Sequence, residues 1–522
     1  MQFTSYTFAF FAAALLLVYY LVPGKWQRYV LLAASYIFYL WAGTQYLAFI
    51  LFTTLTTYLA SRIIGAKTDK QEAYLAANKS ALSKEEKKAY KAAVKKKTRA
   101  VMLLCLVANF TILAFCKGCL TEPLHSIFKE GKLSFLTLAL PIGISFYMFQ
   151  SMGYVVDVYR GTAKAERNFL KLALFVSFFP QLVQGPINRY QPMTATLYGP
   201  HKFESRQVSF GVQRMLWGYF KKLVVADRIA VAVTALRGDE YTGMFFAVML
   251  LFYAIHIYCD FTGGIDVALG ISEALGVRLT ENFQRPYFAK SAAEFWRRWH
   301  ISLGAWLREY VFYPISVSGP MRNLSRTARN KFGAWGKRLP LYVASVITWL
   351  VTGIWHGATP NFVLWGLFNC LAIVISEELE PLYARFHGRF HLKEKAWYAA
   401  FEILRTFCLM TLIRVLSIFT DVGSYFRHVF SLFNTFNPQV LWNGALLRLG
   451  LTVKDYAIIG VACAVMFWVS LCQEKGGSVR EKLWQKPAAL RWALFFGLFV
   501  VIVLMGSYGF GYDASSFIYN RF

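Results

Sequence analysis

Apolar runs long enough to enter a bilayer recur along the whole chain, and they constrain its fold more than any other feature. They begin at about 8–22 and continue to about 492–511, separated by polar or basic segments. One helical crossing requires ~20 apolar residues, and lipid offers no water to unpaired backbone groups. Since 57% of the 522 residues are hydrophobic, the sequence predicts an all-α polytopic membrane protein with about eleven to thirteen transmembrane or re-entrant helices.

The excess of basic residues is explained by membrane topology. A formal net charge of +28 would suggest a nucleic-acid partner in a soluble protein, but cytoplasmic loops of membrane proteins concentrate Lys and Arg next to anionic lipids. We therefore expect membrane lipids and no nucleic acid as partners, with a smaller contribution of charge to attracting an anionic donor. The basic segments 23–28, 65–100, 381–398 and 473–491 are predicted to be cytoplasmic, which places the N-terminus outside.

The stretch 281–357 sets charged residues and two histidines among apolar segments. Polar and ionisable side chains are energetically costly inside a membrane, so their presence there indicates function. At helical period, one face of a single helix carries Trp296, His300, Leu303, Leu307 and Tyr310. The other face carries Arg297, Arg298 and Arg308. His356 ends a later apolar run and is followed by Gly357 and Ala358, small residues that permit close approach. Two imidazoles inside one membrane protein favour proton transfer at a buried site.

Residues 178–193 interrupt a regular helix, because two prolines and a glycine lie within an otherwise apolar run. Irregular backbone at membrane depth requires protein or a water-filled cavity around it. We therefore interpret this segment as re-entrant or cavity-lining. Gln181 and Asn188 would donate hydrogen bonds there, either to a ligand or to the broken backbone itself.

Charged residues also lie in the two helices predicted between residues 193 and 281. Asp260 belongs to the apolar span 243–270 and is interpreted either as the partner of a core arginine or helix end, or as the group that orients a catalytic imidazole. The segment 206–236 predicts a long helix whose Lys221 and Lys222 extend toward an interface.

A lone CxxC motif, Cys116 and Cys119, lies at a helix end. We interpret the two cysteines as packing residues, with a local extracytoplasmic disulfide as the less favoured alternative. It lacks the further spaced ligands of a zinc site, so we expect no metal.

Several runs around the two histidines resemble one family. RPYFAKSAAEFWRRWHISLGAWLREYVFYP and GIWHGATPNFVLWG are similar to the signature of the membrane-bound O-acyltransferases, in the bacterial branch of alginate O-acetyltransferases and the teichoic-acid D-alanyl transferase. Further matching runs lie at 141–161, 178–193, 211–230 and 258–283, so the resemblance covers nearly the whole chain. It implies helices around a central funnel or tunnel in one membrane-embedded domain, 1–522, with N-terminal helices at 1–134, a catalytic core at 135–380 and C-terminal helices at 381–522.

The resemblance places the family's essential histidine at His356. His300 occupies the other matched position, where it is either catalytic or supporting, or a structural hydrogen-bonded residue. Trp355 and Trp296 line a passage or simply pack, and Arg298 is an interface anchor or contacts a donor phosphate. A neutral imidazole at His356 would take the proton of a hydroxyl that attacks a thioester.

The resemblance also implies the reaction and its partners. No cofactor is bound, and the donor is an acyl thioester, acetyl-CoA or an acyl carrier protein, arriving from the cytosol. We expect an O-acetyltransferase of the bacterial plasma membrane that acts on an extracellular polysaccharide with an extracytoplasmic SGNH-type acetyltransferase partner. The run ISVSGPMRN replaces the GGNR-like turn of alginate-type members, which leaves D-alanyl transfer to teichoic acid open. A proton-coupled transporter is the non-enzymatic alternative.

Overall fold

The computed structural model describes residues 1–117, 141, 143–357, 359–419 and 421–508. Within this part of the chain every named element is an α-, 3-10 or π-helix and no β-strand occurs. The all-α prediction is therefore confirmed. Cys119 of the CxxC motif and the C-terminal run FIYNRF lie outside the described residues.

The chain divides into two compact units. The first comprises Met1–Gly211 with Ala268–Thr280, and the second comprises Val212–Val267 with Glu281–Phe522. Two helices, Ser205–Tyr219 and Met244–Ala274, have residues in both units. The prediction of a single embedded domain remains a prediction.

The first unit is a set of helices around an aromatic core. Phe8, Phe38 and Phe179 are fully buried, and the ring of Phe38 lies 6.2 Å from that of Phe8 and 5.4 Å from that of Phe179. Its helices within the described residues are Tyr6–Leu21, Gly24–Leu40, Thr44–Tyr46 (3-10), Leu47–Ala77, Lys84–Cys116, Ile144–Arg160, Phe169–Ser177, Phe179–Leu182 and Tyr190–Leu197.

The charged segment 65–100 forms the ends of two long helices. Leu47–Ala77 and Lys84–Cys116 each run without interruption between apolar and charged residues and are joined by a short connection. Ser83 and Glu86 form a capping box at the start of the second helix. Ala, Lys and Glu are strong helix formers, so the charged residues extend the two apolar helices as exposed helical ends.

The interruption predicted at 178–193 is confirmed. A single helical turn, Phe179–Leu182, is followed by non-helical residues before Tyr190–Leu197 begins. A Cβ on Gly185 would lie 2.2 Å from the Cα of Gln181, so the bend requires glycine. The re-entrant interpretation of this segment stays a prediction.

The second unit contains the residues around both histidines of the matched motifs. Its helices within the described residues are Phe220–Ala226 (π), Asp227–Ala235, Pro286–Phe288 (3-10), Ala292–Arg298, Ile301–Leu307, Arg308–Phe312 (π), Tyr313–Ser316, Gly319–Gly336, Leu339–His356, Pro360–Glu378, Glu380–Phe390, Leu392–Glu394 (3-10), Ala396–Val415, Leu416–Ile418 (3-10), Val422–Asn434, Pro438–Leu441 (3-10), Ala445–Leu449 (3-10), Val453–Glu474, Val479–Trp484 and Ala488–Met505.

Seven helices of the described residues are long and apolar enough to cross a bilayer. They are Thr44–Ala77, Lys84–Cys116, Met244–Ala274, Leu339–His356, Pro360–Glu378, Val453–Glu474 and Ala488–Met505. Large apolar side chains on them face outward, such as Leu504 at 76% exposure and Phe496 at 66%. Exposed apolar surface of this kind requires lipid. The chain is a multi-pass membrane protein, while the count of eleven to thirteen and the central funnel remain predictions.

Candidate active site

The chain breaks its helix immediately before His300. Ala292–Arg298 ends there, Trp299 is extended and forms an isolated backbone bridge with Phe283, and a new helix begins as Ile301–Leu307. His300 itself has a left-handed backbone with φ of +48°. The predicted single face that joins Trp296 and His300 to Leu303, Leu307 and Tyr310 is therefore wrong, because it crosses this break.

Asn282 explains why the break is stable. Its side-chain oxygen accepts hydrogen bonds from the backbone N–H of Ser302 at 3.0 Å and from the Ser302 hydroxyl at 2.9 Å. The backbone N–H of Ile301 donates to the Asn282 carbonyl at 3.0 Å. Asn282 thus satisfies the first donors of the new helix from outside it, as a cap residue would.

The same Asn282 oxygen sets the tautomer of His300. Nδ1 of His300 lies 3.3 Å from this oxygen. An amide oxygen has no proton to donate, so it can act only as a hydrogen-bond acceptor. Nδ1 therefore carries the proton, and Nε2 of a neutral ring keeps its lone pair. Burial, followed by the charge of Arg414, lowers the pKa of His300 to about 3. His300, outside the seven candidate spans, is a neutral imidazole at physiological pH.

His356 lies at the end of an apolar helix that packs against the next one. The helix Leu339–His356 ends at Gly357, and Pro360–Glu378 returns beside it. A Cβ on Gly353 would lie 2.4 Å from the carbonyl oxygen of Phe362. The ring of His356 is half-buried and packs 4.9 Å from Trp365 and 6.1 Å from Phe362. The close helix pair therefore fixes where this imidazole lies.

Trp355 brings the two histidines together. Its ring centroid is 4.6 Å from that of His356 and 6.4 Å from that of His300. Trp355 is itself buried. Since Trp355 directly precedes His356 in the chain, its contact with His300 places residues of the two motifs next to each other.

Trp296 connects the helix before His300 to the helix pair that carries His356. Its indole N–H donates to the side-chain oxygen of Asn369 at 3.1 Å. Its ring also packs 4.9 Å from Trp349 and 5.7 Å from Trp365. The structure therefore supports the packing role that was predicted for this residue as one of two alternatives.

Arg298 is held by carboxylates. Its guanidinium donates to both oxygens of Glu474, each at 2.9 Å, and forms an ion pair with Glu294 at 2.6 Å. Arg285 donates to the same Glu474 at 2.5 Å. These bidentate contacts favour an anchoring role for Arg298 over contact with a donor phosphate.

Asp260 forms an ion pair with a lysine, where an arginine was expected as one possible partner. Lys222 donates to Asp260 at 2.6 Å and forms a second ion pair with Asp227 at 2.7 Å. Asp260 is fully buried and Lys222 is 1% exposed. Although burial acts in the opposite direction, the two carboxylates raise the pKa of Lys222. The geometry supports the ion-pair interpretation of Asp260.

Lys221 is buried as well and pairs with different residues. It donates to Asp266 at 2.6 Å and to the Thr262 hydroxyl at 2.7 Å. The prediction that Lys221 and Lys222 extend toward an interface is wrong, because internal carboxylates hold both ammonium groups. Both lysines belong to the π-helical segment Phe220–Ala226.

Gln181 and Asn188 belong to the first unit and brace its broken segment. The Gln181 amide donates to the carbonyl of Phe175 at 2.6 Å. The Asn188 amide donates to the carbonyl of Pro186 at 2.9 Å and to Gln181 at 3.2 Å. These bonds support the structural alternative for both residues.

Three residues of this region were not singled out from the sequence. Asn282 and Asn369 bind His300 and Trp296, and Arg414 lies over the ring of Trp299. Asn369 and Arg414 lie within apolar segments, where a polar side chain is a usable signal of function. Among the described residues no group of three or more His, Cys, Asp or Glu is placed to hold a metal ion.

Comparison with known proteins shows the family to which the chain is similar. Residues 162–419 match the model of the MBOAT, membrane-bound O-acyltransferase family. The chain is 33% identical over 398 residues to the probable alginate O-acetylase AlgI of Pseudomonas putida, covering 73% of this chain and 71% of that relative. It is 30% identical over 338 residues to the peptidoglycan O-acetyltransferase of Helicobacter pylori, covering 59% and 60%. It is 25% identical over 275 residues to the teichoic acid D-alanyltransferase of Bacillus subtilis, covering 51% and 65%.

The fold is that of a multi-pass membrane protein in which two histidines pack against one tryptophan. The matches span 66–71% of the lengths of two alginate O-acetylase relatives. The chain belongs to the membrane-bound O-acyltransferase family. It is an acyltransferase, which confirms the expected class of enzyme and sets aside the transporter alternative.

Proposed function

We propose that this protein is an O-acetyltransferase of the bacterial plasma membrane. It takes an acetyl group from a cytosolic thioester, acetyl-CoA or an acyl carrier protein, for O-acetylation of an extracellular polysaccharide. The observation that carries the proposal is the packing of His300 and His356 on the shared Trp355. Relatives named for acetyl transfer match at 30–33% identity, compared with 25% for the D-alanyltransferase of Bacillus subtilis, which favours acetyl over D-alanyl.

His356 acts as the general base in this proposal. Its neutral imidazole removes the proton of the acceptor hydroxyl while the hydroxyl oxygen attacks the thioester carbonyl. The carbon–sulfur bond then breaks, the imidazolium returns the proton to the leaving thiolate, and the products are an ester and a free thiol. General-base assistance of this kind is typically worth ~10²–10⁴-fold in rate.

His300 supports the reaction as a fixed hydrogen-bond acceptor. Asn282 holds its Nδ1–H, so Nε2 keeps a lone pair with which to orient a hydroxyl or relay its proton. Its strained backbone and its burial keep this ring in one place. This arrangement is consistent with an auxiliary catalytic role and equally with a structural role. The variants His300→Asn and His300→Ala distinguish the two.

The acetyl group crosses the bilayer in this proposal. The exposed basic ends of Leu47–Ala77 and Lys84–Cys116 lie on the cytoplasmic side, which places the N-terminus outside. On the outer side an SGNH-type acetyltransferase receives the acetyl group and completes its transfer to the polymer. The similarity to relatives named alginate O-acetylase supports a polysaccharide as the final acceptor.

The proposal is tested with the purified protein in proteoliposomes, radiolabelled acetyl-CoA and a hydroxyl acceptor. Labelled ester and free thiol are measured for the wild type, His356→Ala and His391→Ala. His391 is an exposed histidine with the same φ as His300, +48°, so it controls for loss of an imidazole elsewhere. We expect His356→Ala to lose at least about 100-fold in rate and His391→Ala to keep the wild-type rate. Normal transfer by well-folded His356→Ala would reject His356 as the base.

A further inference from the structure

Arg414 is a buried cation surrounded by aromatic rings. It lies on the helix Ala396–Val415 and is 7% exposed. Its guanidinium carbon lies 3.9 Å from the centroid of the Trp299 ring, 5.7 Å from that of Trp296 and 5.8 Å from that of Phe295. Such contacts hold a guanidinium in place by cation–π attraction.

These rings belong to the candidate active site. Trp299 immediately precedes His300 in the chain. Trp296 packs against Trp365, and Trp365 packs against His356. The charge of Arg414 also acts on His300, where it helps to lower the pKa of the imidazole. Arg414 therefore contributes a positive potential at His300, one of the two candidate catalytic histidines.

That potential distinguishes the two acyl groups of the known relatives. Acetyl is uncharged, whereas a D-alanyl thioester carries an ammonium group at neutral pH. Two positive charges within a poorly solvated protein interior repel each other strongly, because little water screens them. A buried like charge is an established way to reject a wrong partner.

We propose that Arg414 determines acyl specificity by excluding cationic aminoacyl groups from the site and admitting uncharged ones. This inference rests on the proposed function and adds a specificity residue to it. Arg414 acts through its charge on the bound acyl group and takes no part in proton transfer.

The test compares two thioesters that differ in charge and hardly in shape. D-lactyl-CoA carries a hydroxyl where D-alanyl-CoA carries an ammonium group. The ratio of their kcat/KM values is measured for the wild type, Arg414→Lys and Arg414→Gln, with acetyl-CoA as reference. We expect the wild type and Arg414→Lys to prefer D-lactyl by about tenfold or more, and Arg414→Gln to lose most of that preference. A structural defect would lower both values together and leave the ratio unchanged.

A second measurement uses the wild type alone, so it does not depend on how well a variant folds. Raising the pH through about 8 removes the α-ammonium charge of the D-alanyl donor. The preference for D-lactyl should then shrink. An unchanged ratio across this pH range, equal use of both donors by the wild type, or an unchanged preference in Arg414→Gln would overturn the inference. Absence of acetyl transfer by the wild type would instead overturn the proposed function and this inference with it.

Discussion

His300 combines a left-handed backbone, complete burial and a hydrogen bond to Asn282 in one residue. A left-handed backbone costs a non-glycine residue about 1–2 kcal/mol. Strain of this kind persists only where the surroundings impose it, and it concentrates at functional sites. Asn282, which receives the N–H and hydroxyl of Ser302 as well, supplies that constraint.

Substitution of His300 should separate its chemical role from its structural one. Asn tolerates a left-handed backbone better than Ala does. We therefore expect His300→Asn to keep a thermal midpoint near that of the wild type and His300→Ala to be less stable by about 1 kcal/mol. Both should lose most acetyl transfer, because neither supplies an imidazole.

The control for this pair is His391→Ala. It repeats the substitution at an exposed residue with the same φ, so it should change stability and leave acetyl transfer intact. Full activity in folded His300→Asn would assign a structural role to His300.

The buried neutral ring of His300 also predicts a pH dependence of stability. Its pKa falls from 6.5 to about 3 on folding. Between these values the unfolded chain binds a proton that the folded protein does not bind, so stability decreases as pH falls below about 6.5, by up to about 1.4 kcal/mol per pH unit. Thermal midpoints measured between about pH 6.5 and 4.5 should fall more steeply for the wild type than for His300→Asn. Parallel curves would contradict the assignment.

At this scale the sequence predicted residue types better than their geometry. His300 and His356 were singled out as candidates because both lie in recognisable motifs. The break between Trp299 and His300 was missed because the apolar period continues through it. Neither Asn282, distant in the chain, nor the left-handed backbone of a histidine has a local sequence signal.

Among the elements, the pair Leu339–His356 and Pro360–Glu378 positions the proposed base. Glycines allow the two backbones to approach closely: a Cβ on Gly366 would lie 2.4 Å from the carbonyl oxygen of Trp349. Small residues at helix contacts are the usual means of close packing in membranes. The position of His356 should therefore depend on the glycines of this pair.

Gly366→Ala is expected to separate these helices and reduce both thermal stability and acetyl transfer, the latter by about tenfold or more because His356 shifts. Gly460→Ala is the matched control, since no atom lies within 4 Å of a Cβ placed there. Alanine in that helix should be neutral or stabilising by about 0.5–1 kcal/mol. Stability and transfer rate are measured for both variants. Equal behaviour of the two would show that close approach at Gly366 is unimportant.

The elements themselves were predictable where hydrophobic length decides. The apolar spans and the interruption at 178–193 follow from residue pattern alone. The burial of Lys221 and Lys222 does not, because two of the carboxylates that bind them, Asp266 and Asp260, lie 45 and 38 positions away in the chain. Local charge patterns cannot distinguish a buried ion pair from an exposed basic face.

For the whole molecule, charge predicts orientation in the membrane. The connection between Leu47–Ala77 and Lys84–Cys116 is exposed and flanked by lysines, so the positive-inside rule predicts a cytoplasmic position for it. Ala81→Cys, with Cys408 replaced by Ser, should react with an impermeant maleimide in inside-out vesicles and not in intact cells. Labelling of intact cells would reverse the proposed orientation.

At this scale the resemblance of the two motifs was sufficient to predict the family. The division into two compact units was not predicted, because it depends on which distant segments pack together and not on any composition shift along the chain.

The central claim is that His356 performs acyl transfer between the two sides of a bilayer. The most direct test seals the polysaccharide and the SGNH-type partner inside proteoliposomes that contain this protein and adds radiolabelled acetyl-CoA outside. Label on the enclosed polymer is measured. The account predicts labelled polymer with the wild type and none with an equal amount of folded His356→Ala. Equal labelling of the polymer by both proteins would contradict it.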